Sequence, residues 1–91
     1  NGNNFLACIT TAQNALKDYP YTSMREDISI LLLRAKHKLG SESVLEKKEE
    51  RMRETIDEYY AFKNEFPESK YMKEVESIYK DASKYVKELN E

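Results

Sequence analysis

Chemistry in a protein starts from groups that attack, ionise or coordinate, and this chain holds few of them. Cys8 is its single cysteine and His37 its single histidine. Paired, they could act as thiolate and imidazole: the ring takes the thiol proton and the sulfur attacks a carbonyl. Their settings argue against it. His37 stands between Lys36 and Lys38 on a stretch expected to face water, and Cys8 falls on the other arm of a hairpin. The plainer reading is an exposed histidine and a small buried thiol. A metal centre wants three or four ligands of this kind, and these two do not make one. The two glycines are isolated and form no phosphate-cradling loop. Carboxylates are abundant, but they lie on faces that read as solvated, which suits solubility and not acid–base catalysis. We read the chain as not an enzyme, with no cofactor and no metal.

The bulk properties narrow the class further. Ninety-one residues suit one domain or a piece of one, with a modest core. The composition is 40% hydrophobic and 35% charged with two Gly and two Pro, which favours long helices with wet faces. Net charge is -2 with signs interspersed, so no basic stripe exists to neutralise phosphates and nucleic acid is not an expected partner. No apolar run has the length to cross a bilayer. The tag FLAC at residues 5 to 8 resembles a lipoprotein cleavage box, but only NGNN precedes it. Such a box needs a basic start and an apolar run before it, so Cys8 reads as a helix-core residue.

Four helices follow from spacing. Phe5, Ile9, Ala12, Leu16 and Tyr19 fall at steps of three and four, one face of a helix capped by Asn3 or Asn4 and stopped by Pro20. The second helix starts at Thr22 or Ser23, with Ser23 and Glu26 as a capping box. Met24, Ile28, Leu31, Leu32, Ala35 and Leu39 form its face, and Gly40 supplies a left-handed stop. Ser43 with Glu46 opens the third helix, whose charged first turns EKKEERMRE project into water. Glu49, Arg53 and Asp57 support it by pairs four residues apart, and Met52, Ile56, Tyr59, Phe62 and Phe66 line one side. Pro67 ends it and Ser69 caps the fourth helix. The face there is Tyr71, Val75, Ile78, Tyr79, Ala82, Tyr85, Val86 and Leu89.

The phrase YPYT at residues 19 to 22 returns as FPES at 66 to 69, a shift of 47 positions. With the prolines aligned, Phe5 meets Met52, Ile9 meets Ile56, Thr22 meets Ser69, Ile28 meets Val75, Leu31 meets Ile78 and Ala35 meets Ala82. That is one helical hairpin written twice: residues 1–40, then residues 41–91 with a longer first helix, together one domain fragment. Stacked hairpins of this kind make solenoids. A plain up-down four-helix bundle is the rival fold. The second helix carries ISILLLRA, in which Ile30 and Leu33 point away from its main face. A helix apolar all round is buried all round. Either a neighbour is missing (an earlier repeat, a partner or a second copy of the chain), or the first helix covers the extra side.

Tyr59, Tyr71, Tyr79 and Tyr85 lie on the apolar stripes and read as core, whereas Tyr60 lies at a stripe's edge and Tyr21 in a turn. Edge tyrosines near Arg or Lys suit recognition surfaces, and they are equally what a small core leaves half exposed. The candidate partner contacts are the charges Arg51, Arg53 and Glu54 with Tyr60 beside them, and Tyr21.

The phrases NALKDYPYTS and DEYYAFKNEFPESKYMKEVESIYKDA resemble the tetratricopeptide-like repeats of the BamD family of outer-membrane barrel-assembly lipoproteins, above all its Bacteroides-type members. The resemblance rests on aromatic-Pro-x-Ser/Thr at the bend, then an apolar helix with a central alanine. It covers nearly the whole chain apart from NGNN and residues 41–50. The ordinary tetratricopeptide Trp-x-x-Leu-Gly-x-x-Tyr signature is absent, and the 47-residue spacing is longer than the usual repeat. The resemblance implies tetratricopeptide-like hairpins and a non-catalytic scaffold at the periplasmic face of the outer membrane. It implies partners among the subunits of the machine that inserts β-barrels, with the membrane reached only through a lipid anchor. The chain then corresponds to the family's late repeats, those associated with docking to other subunits. A generic tetratricopeptide-type peptide-binding adaptor is the alternative, and a homodimer of the fragment is a further expectation.

Overall fold

The computed structural model describes residues 2–86, with side chains from Asn4 onward. It is all-helical: α1 (Gly2–Asp18), α2 (Arg25–Ser41), α3 (Leu45–Glu65) and α4 (Met72–Ser83). Each helix packs on the next, and α2 also touches α4. The body measures 37 × 29 × 17 Å, thin in one direction. Among the described residues α2 meets all three other helices.

The prolines act as their chemistry requires. α1 ends two residues before Pro20 and α3 two residues before Pro67. The two bends use the same hydrogen bonds 47 residues apart. The Tyr19 amide donates to the Ala15 carbonyl at 2.9 Å, and that of Phe66 to Phe62 at 2.8 Å. The Thr22 amide donates to Tyr19 and that of Ser69 to Phe66, both at 3.1 Å. One step later the Thr22 hydroxyl accepts from the Met24 amide at 3.2 Å, and the Ser69 hydroxyl from the Tyr71 amide at 3.0 Å. Each hydroxyl thus closes the turn ahead of its helix and not the helix itself, which starts at Arg25 or Met72.

The capping boxes are not formed, because their side chains have longer-range partners. Glu26 accepts the Ser69 hydroxyl of the other bend. Ser43 donates to the Leu39 carbonyl and accepts from Arg51, leaving extended Val44 as the cap position of α3. α1 already includes Asn3 and Asn4, so neither caps it. Gly40 is no left-handed stop either: α2 runs on to Ser41, and no residue has positive φ among those described. Glycine is there for closeness. A Cβ on Gly40 would lie 3.0 Å from the Met52 sulfur.

Two apolar clusters sandwich α2. On one side Leu32, Ala35 and Leu39 pack with Ile9 and Ala12 of α1. On the other, Ile30 and Leu33 meet Tyr59 and Phe62 of α3 and Val75 and Ile78 of α4. The second hairpin therefore covers Ile30 and Leu33, and α1 covers the expected face. A third cluster, Met52, Ile56, Ala82 and Val86, holds α3 to α4. Ala35 and Ala82 are both buried, as expected of small residues at close helix approaches.

Several stripe residues are nonetheless wet. Leu31 is 50% exposed although its shifted counterpart Ile78 is 6% exposed. Met24, Tyr19 and Tyr85 are exposed too, against the stripe assignment. Tyr59 is buried and Tyr71 and Tyr79 are half-buried, while Leu89 lies outside the described residues. Cys8, expected in the core, is exposed on α1. His37, expected in water, is half-buried, its Nε2 2.7 Å from Asp81 of α4.

Candidate partner-binding surface

A cleft of about 420 Å³ runs over α2 between α1 and α3. Leu6, Ile9 and Leu39 give it an apolar floor, and Lys47, Glu50, Arg51 and Glu54 of α3 form a charged wall. The wall follows from spacing: Lys47 and Arg51, and Glu50 and Glu54, are four residues apart and so share a stripe of α3. Thr10 and Gln13 of α1 and Lys36 of α2 complete the lining, and Lys36 is tied to Glu58 of α3 at 3.0 Å, both ends mostly covered. Arg51 is half-buried, its guanidinium donating to Ser43 Oγ at 2.7 Å. An apolar floor beside alternating charges suits an extended or helical segment with charges of both signs.

The structure divides the predicted contact residues. Arg51 and Glu54 share the cleft. Arg53 is two residues on, about 200° around the helix, half-buried and paired with Glu49 at 2.7 Å. Tyr60 is not beside Arg51: it packs edge-on against Tyr59 and Tyr79, with centroids at 4.9 and 5.9 Å. Tyr21 is 98% exposed at the tip of the first bend. Sequence reasoning missed Leu6, Ile9, Leu39, Lys36, Lys47 and Glu50. The i,i+4 stripe of α3 was a signal for two of them. The rest needed the knowledge that α1 and α3 flank α2.

The remaining polar groups fasten helices together. Arg34 grips Glu74 through two hydrogen bonds of 2.7 Å, joining α2 to α4. Lys63 and the Tyr59 hydroxyl both donate to Glu76, at 3.1 and 2.9 Å. Burial, ahead of any partner, pushes the Tyr59 hydroxyl up. The Arg34 hydrogen bond holds Glu74 below the ordinary carboxylate value of 4.5, and the Lys63 hydrogen bond does the same for Glu76. A carboxylate with a depressed folded pKa stabilises the fold above its unfolded pKa and loses that contribution as pH falls through the folded one. Melting temperature is therefore expected to stay level near neutrality and fall from about pH 5 downward, followed by circular dichroism. Glu74→Gln with Glu76→Gln should flatten that fall, and an unchanged slope would remove these two groups from the account.

No group of three or more potential metal ligands occurs among the described residues. Cys8 lines a groove with Ile28 and Leu31, while His37 faces Asp81, so the two do not meet. No helix among the described residues is long and apolar enough to cross a membrane. A scan against protein-family models found no match, and neither did a comparison with curated proteins.

Proposed function

We propose that the chain is a non-catalytic docking scaffold, holding partner subunits of an outer-membrane protein assembly machine on stacked helical hairpins. The observation that supports this most is the α1–α3 cleft. Its floor is apolar, its wall carries both signs of charge, and the Lys36–Glu58 tie fastens it to α2. A rigid, shaped, mixed-charge groove binds without reorganising, which keeps the entropic cost of association low. The two bends with identical hydrogen bonds fit a repeated hairpin of the tetratricopeptide type. The resemblance to the BamD family supplies the setting: the periplasmic face of the outer membrane, beside the barrel-forming subunit.

Tagged protein in its native cells tests the reading. The barrel-forming subunit should co-purify, and reversing exposed cleft charges (Lys47→Glu, Glu50→Lys, Glu54→Lys) should cut its recovery about tenfold. Unfolding should change by no more than about 0.5 kcal/mol, because surface substitutions away from structural ties cost little. Recovery of peptide-bearing cytosolic partners alone would point instead to a generic adaptor. Recovery unaffected by the reversals would move the binding surface off the cleft.

A further inference from the structure

A second, separate groove lies on the first hairpin's outer side. It has a volume of about 350 Å³ and is walled by Cys8, Thr11, Ala12 and Ala15 of α1 and Ile28 and Leu31 of α2. Shifting these positions by 47 gives Thr55, Glu58, Tyr59, Phe62, Val75 and Ile78. In the second hairpin four of those, Tyr59, Phe62, Val75 and Ile78, receive Ile30 and Leu33 of α2. The groove is thus the place on the first hairpin that a helix fills on the second. Its floor also lacks rings, since alanines 12 and 15 stand where the second hairpin has Tyr59 and Phe62.

Charge carries the comparison further. α2 docks on the second hairpin with Arg25 paired to Glu65 and Arg34 paired to Glu74. The shifted positions of those acids are Asp18 and Asp27, both carboxylates. Asp18 is exposed, and Asp27 is half-buried with the Tyr71 hydroxyl on it at 2.8 Å. A second copy stacked head to tail does not fit. Where α2 has Ile30 and Leu33, α4 presents Ser77 and Lys80, both exposed and neither apolar.

We propose that this groove docks an amphipathic helix of a partner protein. The helix carries two bulky apolar side chains three residues apart, a basic residue five before the first and another directly after the second. The proposal rests on the scaffold reading and names the chemistry of one partner.

The lone thiol in the groove reports occupancy. The probe is a peptide of residues 23–41 carrying Ile30→Phe and Leu33→Phe, which keeps Arg25 and Arg34 and brings rings to a floor of alanines. At concentrations about ten times its Kd it should slow alkylation of Cys8 about tenfold. The same peptide with Ile30→Ser and Leu33→Lys, the side chains that α4 presents, should leave the rate unchanged. Leu31→Glu in the protein, at a half-exposed position, should abolish protection without loss of helicity. Cys8 reactivity unmoved by the phenylalanine peptide overturns the proposal. So does a dimer in sedimentation whose Cys8 is protected without peptide, which would assign the groove to a second copy. Loss of partner recovery on reversing the α1–α3 cleft, with Leu31→Glu silent, would sink this inference and leave the scaffold reading standing.

Discussion

Phe62→Ala is expected to remove about 3–5 kcal/mol of stability, the range for deleting a ring from a packed core. The side chain is 2% exposed and sits where both hairpins meet. It touches a cluster of Ile30 and Leu33 from α2 and Val75 and Ile78 from α4, and its ring lies 5.2 Å from that of Phe66. The position 47 residues earlier is Ala15, which borders the open groove of the first hairpin. The substitution therefore gives the second hairpin the first hairpin's alanine at this position, but the outcome for the space differs. The second hairpin's groove is already roofed by α2, so the space left is a sealed cavity and not a site that water fills. A domain of this size has roughly 5–14 kcal/mol in total, and each kcal/mol moves the melting temperature by about 4–8 °C. Urea unfolding followed by circular dichroism should show a much lower midpoint with the same slope. A loss under about 1 kcal/mol would mean that α2 and α4 collapse freely into the space, contrary to a close-packed seam.

Much of the fold could be read from the chain because its signals are local. Pro20 and Pro67 cannot continue a helix whatever surrounds them, and both helices stop just ahead of them. Ala35 and Ala82 are small wherever they are, and both are buried. Several of the failures share one cause, that what covers or binds a side chain lies far along the chain. Ser23 and Glu26 have the spacing of a box, yet Glu26 is drawn to Ser69. His37 lies between two lysines in sequence and against Asp81 in space. Leu31 and Ile78 carry the same periodic signal, and only the second has a helix over it. The candidate surface was less legible for the same reason. Arg51 and Glu54 could be placed on one stripe of α3, but periodicity along α3 says nothing of Leu6 and Ile9, which reach the cleft from α1.

The asymmetry between the two sides of the stack gives a sharper test. Leu33 and Lys80 lie 47 residues apart, the offset that separates the two proline bends. Leu33 is wholly buried and Lys80 is exposed. Leu33→Lys should be among the most damaging single changes in the chain. It places an ammonium among Tyr59, Phe62 and Val75, where Ile30 and Ile78 fill the remaining space. The acids at this seam are already engaged, Glu74 by Arg34 and Glu76 by Lys63 and the Tyr59 hydroxyl. An unpaired buried charge costs several kcal/mol even after relaxation, a large share of the whole. We expect the hairpins to separate, with loss of cooperative melting and little far-UV signal of a single transition. Lys80→Leu is expected to shift stability by no more than about 0.5 kcal/mol, because Lys80 is exposed and no described helix lies over it. Were the two substitutions to cost the same, α2 would not be an inner helix and α4 would not be an outer one. The mapping of the open groove onto the occupied seam would fail with them.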